Sequence, residues 1–361
     1  MGKLIDDGDG HRVSQSAMVN YLSKSAMFKR GQNANVFSES RIVPYTMIER
    51  PVFLVGSERS GATLLRLMLD HHPKMAFLGE FGYGIQHMKD DGRHPTLADY
   101  YQRLLTNRNF LMEGLTIDRS LGYCELVNSF LRQFQAIGQK PIVGATVHQH
   151  FDRLLQIWPN ARFIHIVRDG RDVARSCMKM GWAGDGWHGA QRWMQAETLW
   201  ESLKIKLPAD RQLEVRFEDL IVDTEGTLTQ VCNFLGESYH PEMMGYAQHT
   251  GYALPDTRLI NQWHSRLSKR EIQLIESRIA PLLAARGYPP SGLPHVRVSR
   301  AGQLWLRVEN KLRTLAHRAE KYGLPLMSAD FFARKLGLTG LSDRLSRKIN
   351  LIDLKTMKQS W

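Results

Sequence analysis

Two short apolar runs each end in a polar, glycine-bearing loop and then enter a helical pattern. This repeated unit constrains the fold more than any other feature of the chain. The first run is Pro51-Val52-Phe53-Leu54-Val55-Gly56 and the second is Phe163-Ile164-His165-Ile166-Val167. Runs this short and this apolar suit strands buried on both faces, as in a parallel sheet. After the first loop, Leu64, Leu65, Met68 and Leu69 recur at helical spacing. Thr63, Arg66 and Asp70 share the opposite side, and His71-His72-Pro73 stops the helix. After the second loop a helix is expected through Met180. Further strands are expected at Met75–Leu78, Ile142–Gly144 and Leu213–Phe217, the last half-buried because apolar and polar residues alternate there. Leu154–Trp158 suits a helix closed by Pro159, and residues 85–138 read as a helical cap. The alternation predicts an α/β protein, a parallel β-sheet flanked by helices on both faces. Ligands in such sheets bind beyond the C-terminal strand ends, where both loops lie.

Residues 1–44 are polar and mixed and read as an N-terminal arm, residues 45–290 as the α/β domain, and residues 291–361 as a basic helical C-terminal extension. Of the formal net charge of +12, residues 291–361 hold 14 Lys/Arg against 5 Asp/Glu, a net of +9 that leaves +3 for the rest. A nucleic-acid binder would spread its basicity over the fold, so no nucleic-acid partner is expected. In the extension Leu304, Val308, Leu312, Leu315 and Ala319 form a helical stripe, with Arg307, Lys311, Arg313 and Arg318 around it. Two readings stay open: a helix packed on its own domain or on a twin subunit in a homodimer, or a basic amphipathic surface for anionic lipid or an acidic acceptor polymer. No stretch approaches the roughly 18–20 apolar residues of a membrane span. The first fifteen residues contain no apolar run, so a cytoplasmic location is expected, peripheral at the membrane if the extension meets lipid. Cys124, Cys177 and Cys232 show no metal or disulfide spacing and read as buried or semi-buried thiols, and no metal is expected.

The first loop, G-S-E-R-S-G-A-T, has the outline of the phosphate-loop pattern G-x-x-x-x-G-K-[ST], with Gly56, Gly61 and Thr63 in place. Ala62 stands where a nucleotide triphosphatase needs Lys, which argues against a kinase or NTPase. Such a loop still cradles an anion through backbone N–H groups and a helix N-terminus, and Arg59 restores a cation three positions earlier. The second loop, V-R-D-G-R-D-V-A-R-S, puts Arg168 at a strand end and Ser176 about two turns into the helix. A fixed guanidinium with a hydroxyl suits a phosphate monoester. Arg171 and Asp172 are expected to organise the turn and cap the helix. A donor with two separated anionic groups would use both loops, and 3′-phosphoadenosine 5′-phosphosulfate (PAPS) is such a donor.

At these residues the chain resembles the PAPS-dependent sulfotransferase family. Residues 51–73 look like its 5′-phosphosulfate loop and residues 161–176 like its 3′-phosphate loop. Residues 213–236 and 258–276 agree with two later segments, and Gly79-Glu80 is similar to the branch containing tyrosylprotein and bacterial sulfotransferases. The resemblance runs from about residue 50 to 289. It implies a P-loop-like sulfotransferase fold that moves a sulfuryl group from PAPS to a hydroxyl or amine of an acceptor, leaving 3′,5′-ADP (PAP). The acceptor class (carbohydrate, lipid-linked, peptide or small molecule) stays open. The donor cradle runs from Glu58 through Arg59, Ser60, Gly61, Ala62 and Thr63 to Leu64 and takes in Arg168 and Ser176. Arg258 and Trp263 are expected to close over the nucleotide, core packing being the other reading for the Trp. Arg59 is expected to meet charge on the leaving phosphate and Glu80 to act as base. His148 and His150 are second candidates for catalysis. His150 matches the family His in G-A-T-V-H-Q-H, but Thr146 replaces a family Lys, which leaves two readings: His148 or another cation substitutes for it, or turnover is impaired. The alternative is a non-catalytic relative that binds nucleotide. Residues 85–140 and the loops near Trp182, Trp187 and Trp193 are expected to line the acceptor side.

Overall fold

The computed structural model describes residues 46–359, so the arm expected over residues 1–44 lies outside the described residues. Strand β1 (Val52–Val55) leads through the first loop into helix α1 (Ala62–His71) and strand β2 (Met75–Glu80). The expected helical cap contains α2 (Leu97–Thr106), α3 (Arg108–Glu113) and α4 (Tyr123–Gly138). Strand β3 (Ile142–Val147) runs three residues further than the sequence pattern suggested. The short helix Leu154–Ile157 then precedes β4 (Arg162–Val167), α5 (Gly170–Lys179) and α6 (Gln191–Lys204). Strand β5 (Gln212–Arg216) gives way to α7 (Phe217–Val222), α8 (Thr224–Leu235) and α9 (Lys269–Ala285). Phe217, expected as the last strand residue, instead opens α7 with its ring turned onto the first loop. The C-terminal extension is helical: α10 (Arg300–Tyr322), α11 (Leu324–Lys335) and α12 (Thr339–Gln359).

All five strands are parallel, in the order β2-β3-β1-β4-β5. Side chains alternate along each strand, so the sheet feeds two cores. Phe53, Val55, Ala145, Val147 and Phe163 join the cap helix α4 on one face. Val52, Leu54, Phe77, Ile164 and Ile166 join α1, α7 and α8 on the other. With both faces covered, the central strands β1 and β4 need no polar alternation and read as apolar runs, whereas the edge strand β5 alternates.

The chain leaves β1 for one side of the sheet, fills β2 and β3, and returns to β4 on the other side. Val55 of β1 therefore pairs with Val147 on one flank and His165 on the other. The tip of β1 is a topological switch point, where open α/β sheets leave a crevice. Beneath it, a buried polar set ties β4 and β5 to α6 and the end of α9. Glu197 accepts from Arg286 Nε at 2.6 Å and lies 3.2 Å from His165 Nε2. The His165 ring stacks on Trp200.

Gly144 lies mid-strand where β3 meets β1. A Cβ there would sit 2.4 Å from the Phe77 ring and 2.5 Å from the Val52 carbonyl oxygen. The second of these is backbone and cannot swing aside. Gly144→Ala is therefore expected to lower the unfolding free energy by about 1–3 kcal/mol through overpacking, read as a lower denaturant midpoint at unchanged slope. An unchanged midpoint would show that the sheet relaxes around the added methyl.

Candidate active site at the tips of β1 and β4

The loop leaving β1 is built around two left-handed residues. Gly61 (φ 95°) caps α1, and any Cβ there would lie 2.2 Å from the Phe217 ring, so only glycine fits. Arg59 (φ 72°) holds the same kind of conformation with a side chain, a strain of about 1–3 kcal/mol that the surroundings must hold in place. They do so from the neighbouring loop. Arg59 Nε donates to Ser176 Oγ at 2.9 Å, and the Arg59 carbonyl accepts from Arg168 Nη1 at 3.3 Å. The two loops are thus in direct contact. The first-turn amides of α1, at Ala62, Thr63 and Leu64, have no intrahelical acceptor and face this corner with the positive end of the helix dipole.

The loop leaving β4 is braced from below. Asp169 caps α5 by accepting from the Arg171 N–H at 2.9 Å, and it also receives Arg171 Nε and Nη2 at 2.9 and 2.7 Å. Arg171 reaches on to Glu276 at 2.8 Å, and its guanidinium lies 3.7 Å from the centre of the Trp263 ring. The helix cap expected of Asp172 falls to Asp169, while Asp172 Oδ1 accepts the Trp263 N–H at 2.8 Å. Arg168 lies over the Phe217 ring and donates through Nη2 to the Leu259 carbonyl at 2.6 Å.

Three guanidiniums crowd this corner. Burial is the main cause holding Arg59 and Arg168 below the usual arginine range, and Arg175 presses both further down. Asp172 and Glu218 offset part of the effect at Arg168, as Tyr252 and Cys177 do at Arg59. Cations that disfavour one another at a crevice form an environment that an anion relieves.

Glu80 stands at the end of β2. A register shift between Leu78 and Glu80 at the β2–β3 ladder re-aims its side chain, which keeps 43% of its surface open. His148 emerges one residue beyond β3. Its Nδ1 faces the Gly56 carbonyl at 2.8 Å and its Nε2 faces Glu80 Oε1 at 3.2 Å. With acceptors at both nitrogens, the ring is an imidazolium donating twice. Burial pulls the His148 pKa down, but Glu80, Glu58 and the Gly56 carbonyl overcome it and push it up to about 9. Burial works upward on Glu80, yet His148, Arg66 and Arg108 together leave its carboxyl below the usual range.

The remaining sequence candidates are placed as follows. Glu58 turns outward, accepting from Arg192 Nη1 at 2.7 Å and Gln149 Nε2 at 2.9 Å, and so positions the loop. The Ser60 N–H closes a turn to Ser57, and its buried hydroxyl has no hydrogen-bond partner among the described residues. Thr63 bonds to Tyr252, whose hydroxyl burial pushes up to about 12. The Leu64 side chain packs in the core beneath the loop. His150, left-handed and exposed at the turn after β3, has Arg153, Asp152 and Asp90 for charged neighbours, and no contact joins it to Arg59 or Glu80 among the described residues. The Arg258 side chain is 88% exposed and paired with Asp256 of its own loop. Trp263 is 4% exposed and supports the second loop from beneath, the core-packing reading of this residue. Trp193 is fully buried, whereas Trp182 stays exposed beneath the Arg192 guanidinium.

Four residues of the site carried no assigned role in the sequence. Arg175 sits beside Ser176 within the second loop motif, and Arg66 lies on the polar side of α1, so both had a local signal. Glu113 and Tyr252 had none. Burial holds Glu113 above the usual carboxylate range, against Arg66 and a bond from the Gly79 N–H, with Asp70 and Glu80 adding to the rise.

Known proteins similar to this chain are found by sequence and by structure. A model described as the sulfotransferase family matches residues 51–241, more than half of the chain. Protein-tyrosine sulfotransferase 1 of Danio rerio is 25% identical over 314 residues, 79% of this chain and 83% of that protein. The omega-hydroxy-beta-dihydromenaquinone-9 sulfotransferase of Mycobacterium bovis is 35% identical over 117 residues, 27% of this chain and 30% of that one. A solved sulfotransferase domain from the curacin biosynthetic pathway aligns with 69% of this chain and 100% of its own, at 16% identity and a TM-score of 0.49. The match of the family model across both strand-tip loops establishes that this chain belongs to the sulfotransferase family.

Proposed function

We propose that this protein transfers a sulfuryl group from PAPS to an acceptor hydroxyl. The observation that carries the reading is the crowding of Arg59, Arg168 and Arg175 at two adjoining strand tips, where the bond from Arg59 Nε to Ser176 Oγ joins the two loops. The amides opening α1 and the Arg59 guanidinium suit the phosphosulfate end of PAPS, and Arg168, Arg175 and Ser176 suit the 3′-phosphate. The two relatives described above are named for a tyrosine and for an omega-hydroxylated quinone, which share a hydroxyl as the group to be sulfated.

Transfer of this kind, like phosphoryl transfer, passes through a loose in-line transition state, so the protein contributes position and charge. The acceptor oxygen bonds to sulfur as the bond from sulfur to the phosphate oxygen breaks, and the electron pair leaves on the phosphate. Arg59 meets that growing charge. The acceptor proton passes to Glu80. A carboxylate held low by an imidazolium is a weak base, but little bonding to the acceptor in a loose transition state asks little of it. The expected cation replacing the family Lys at Thr146 is His148: the Thr146 hydroxyl is buried without a hydrogen-bond partner among the described residues, while His148 carries its charge to the strand tip.

Arg59→Ala is expected to reduce transfer by on the order of 10²–10³-fold, while Arg168→Ala weakens PAP binding by about 1.5–3 kcal/mol per lost charge-assisted bond. The assays are calorimetry with PAP and mass spectrometry for a gain of SO₃ after incubation of PAPS with cell extract. Reversed effects of the two variants would mean that the loops exchange roles. Tight PAP binding with no transfer to any acceptor would favour a binding protein instead.

The pH profile tests the Glu80–His148 pair. Glu80 is ionised at neutrality and His148 is protonated until pH rises through about 9. Activity is therefore expected to hold level from neutrality and to fall through about pH 9, a limb that disappears in His148→Gln. Glu80→Gln is expected to lower turnover by about 10²-fold with PAP affinity unchanged. A wild-type profile that keeps its alkaline limb in His148→Gln would remove the histidine from the mechanism.

A further inference from the structure

Helix α10 is docked by one side up to its last turn, where Lys321 and Tyr322 also bond to Asp353 of α12. Leu306 is buried, Asn310 Oδ1 accepts the Gly184 N–H at 2.7 Å, and Arg313 Nη1 donates to the Gly184 carbonyl at 3.2 Å. A Cβ on Gly184 would lie 2.7 Å from Arg313 Cβ, and one on Gly181 would lie 1.9 Å from the His317 ring, so the loop after α5 receives the helix at close range. Residues 306, 310, 313 and 317 recur at three and four and share one face. The opposite face is apolar and open: Leu304 is 62% exposed, Trp305 65%, Val308 45%, Leu312 61% and Leu315 51%. Along one edge of this stripe run Arg300, Arg307, Lys311 and Arg318, all exposed. Their spacings of seven, four and seven keep them in one row, about 27 Å long at the α-helical rise. The two carboxylates of the helix, Glu309 and Glu320, lie off this face, and Glu309 is engaged by Arg313 and Arg270.

We propose that α10 seats the protein on an anionic lipid bilayer, lying in the plane of the interface. Among the described residues, no helix is long and apolar enough to cross a membrane. An amphipathic helix with a broad apolar stripe and a cationic edge is what an interface selects: the stripe enters the acyl boundary, Trp305 sits at headgroup level, and the cations reach back to lipid phosphates. A soluble acidic polymer would use the cations but leave five apolar side chains in water. A second copy of the chain is the weaker occupant, because the open face of α10 offers no carboxylate to meet a partner's cation row, and like charges brought together disfavour association. The seat is independent of the transfer chemistry and is read without turnover.

The test is flotation of the full chain with vesicles of phosphatidylcholine alone and of phosphatidylcholine mixed with phosphatidylglycerol. Binding is expected only to the second, weakening as salt is raised. Each cation removed, in Arg307→Gln and Lys311→Gln singly and together, should lower partitioning about fivefold. Leu304→Ser with Leu312→Ser should abolish it. These side chains are exposed, and an unchanged circular dichroism spectrum and PAP affinity establish that the variants fold. As a second readout, brominated phosphatidylglycerol should quench tryptophan emission in the wild type and much less in Trp305→Phe. The proposal fails if neither vesicle binds, if neutral and anionic vesicles bind alike, or if the variants bind as the wild type does. It fails equally if light scattering finds a dimer that Leu304→Ser with Leu312→Ser dissociates while vesicles capture nothing, which would assign the face to a second copy.

Discussion

A buried guanidinium needs a counter-charge, and three near one another need it more. The adjacency of β1 and β4 forces that condition on this protein, because the chain leaves both strands in the same direction and its loops carry Arg59, Arg168 and Arg175 to one corner. Neighbouring carboxylates neutralise only part of the charge: buried Asp172 lies 3.7 Å from Arg168 and 3.6 Å from Arg175, while Asp169 and Glu276 are committed to Arg171 beneath the loop. Nearly every other feature of the site serves this arrangement. The strained backbone at Arg59 is held by Arg168 and Ser176, Phe217 closes the space that Gly61 leaves open, and Trp263 props the second loop from below.

Much of this was legible in the sequence, for a physical reason. Strands buried on both faces leave little room for polar residues, so β1 and β4 announce themselves as mostly apolar runs, and Gly56 after β1 marks where the backbone must turn. Arg59, Arg168 and Ser176 could be placed from those runs, whereas the role expected of Glu80 came from the family resemblance. What escaped depends on where a strand stops or on contacts across distant segments. The apolar pattern of β3 fades at Gly144 although the strand continues to Val147, so the sequence did not separate His148 at the tip from His150 in the turn after it. Trp263 could be read as a lid or as core, and nothing local records that Arg171, 92 positions earlier, would cover its ring. Glu113 and Tyr252 meet the site only through the fold.

The pairing of Glu80 with His148 also bears on the proposed chemistry. Desolvation works to raise the Glu80 pKa, and the imidazolium, with Arg66 and Arg108, reverses the sign. The site therefore favours charge in place over proton affinity. That suits the proposed transfer, in which the bond from sulfur to the leaving oxygen is largely broken while the bond to the acceptor oxygen is still little formed.

The C-terminal helices return to this balance by an indirect route. Asp353 on α12 lies 3.6 Å from Arg108 at the start of α3, and it also receives Lys321 of α10 at 2.6 Å. Arg108 is one of the cations that keep the Glu80 proton affinity low. Arg108 thus links the cap to the last helix: one cation serves both Glu80 and a carboxylate 273 positions further along the chain, so the C-terminal helices are tied to the cap beside the strand tips rather than merely appended to the domain.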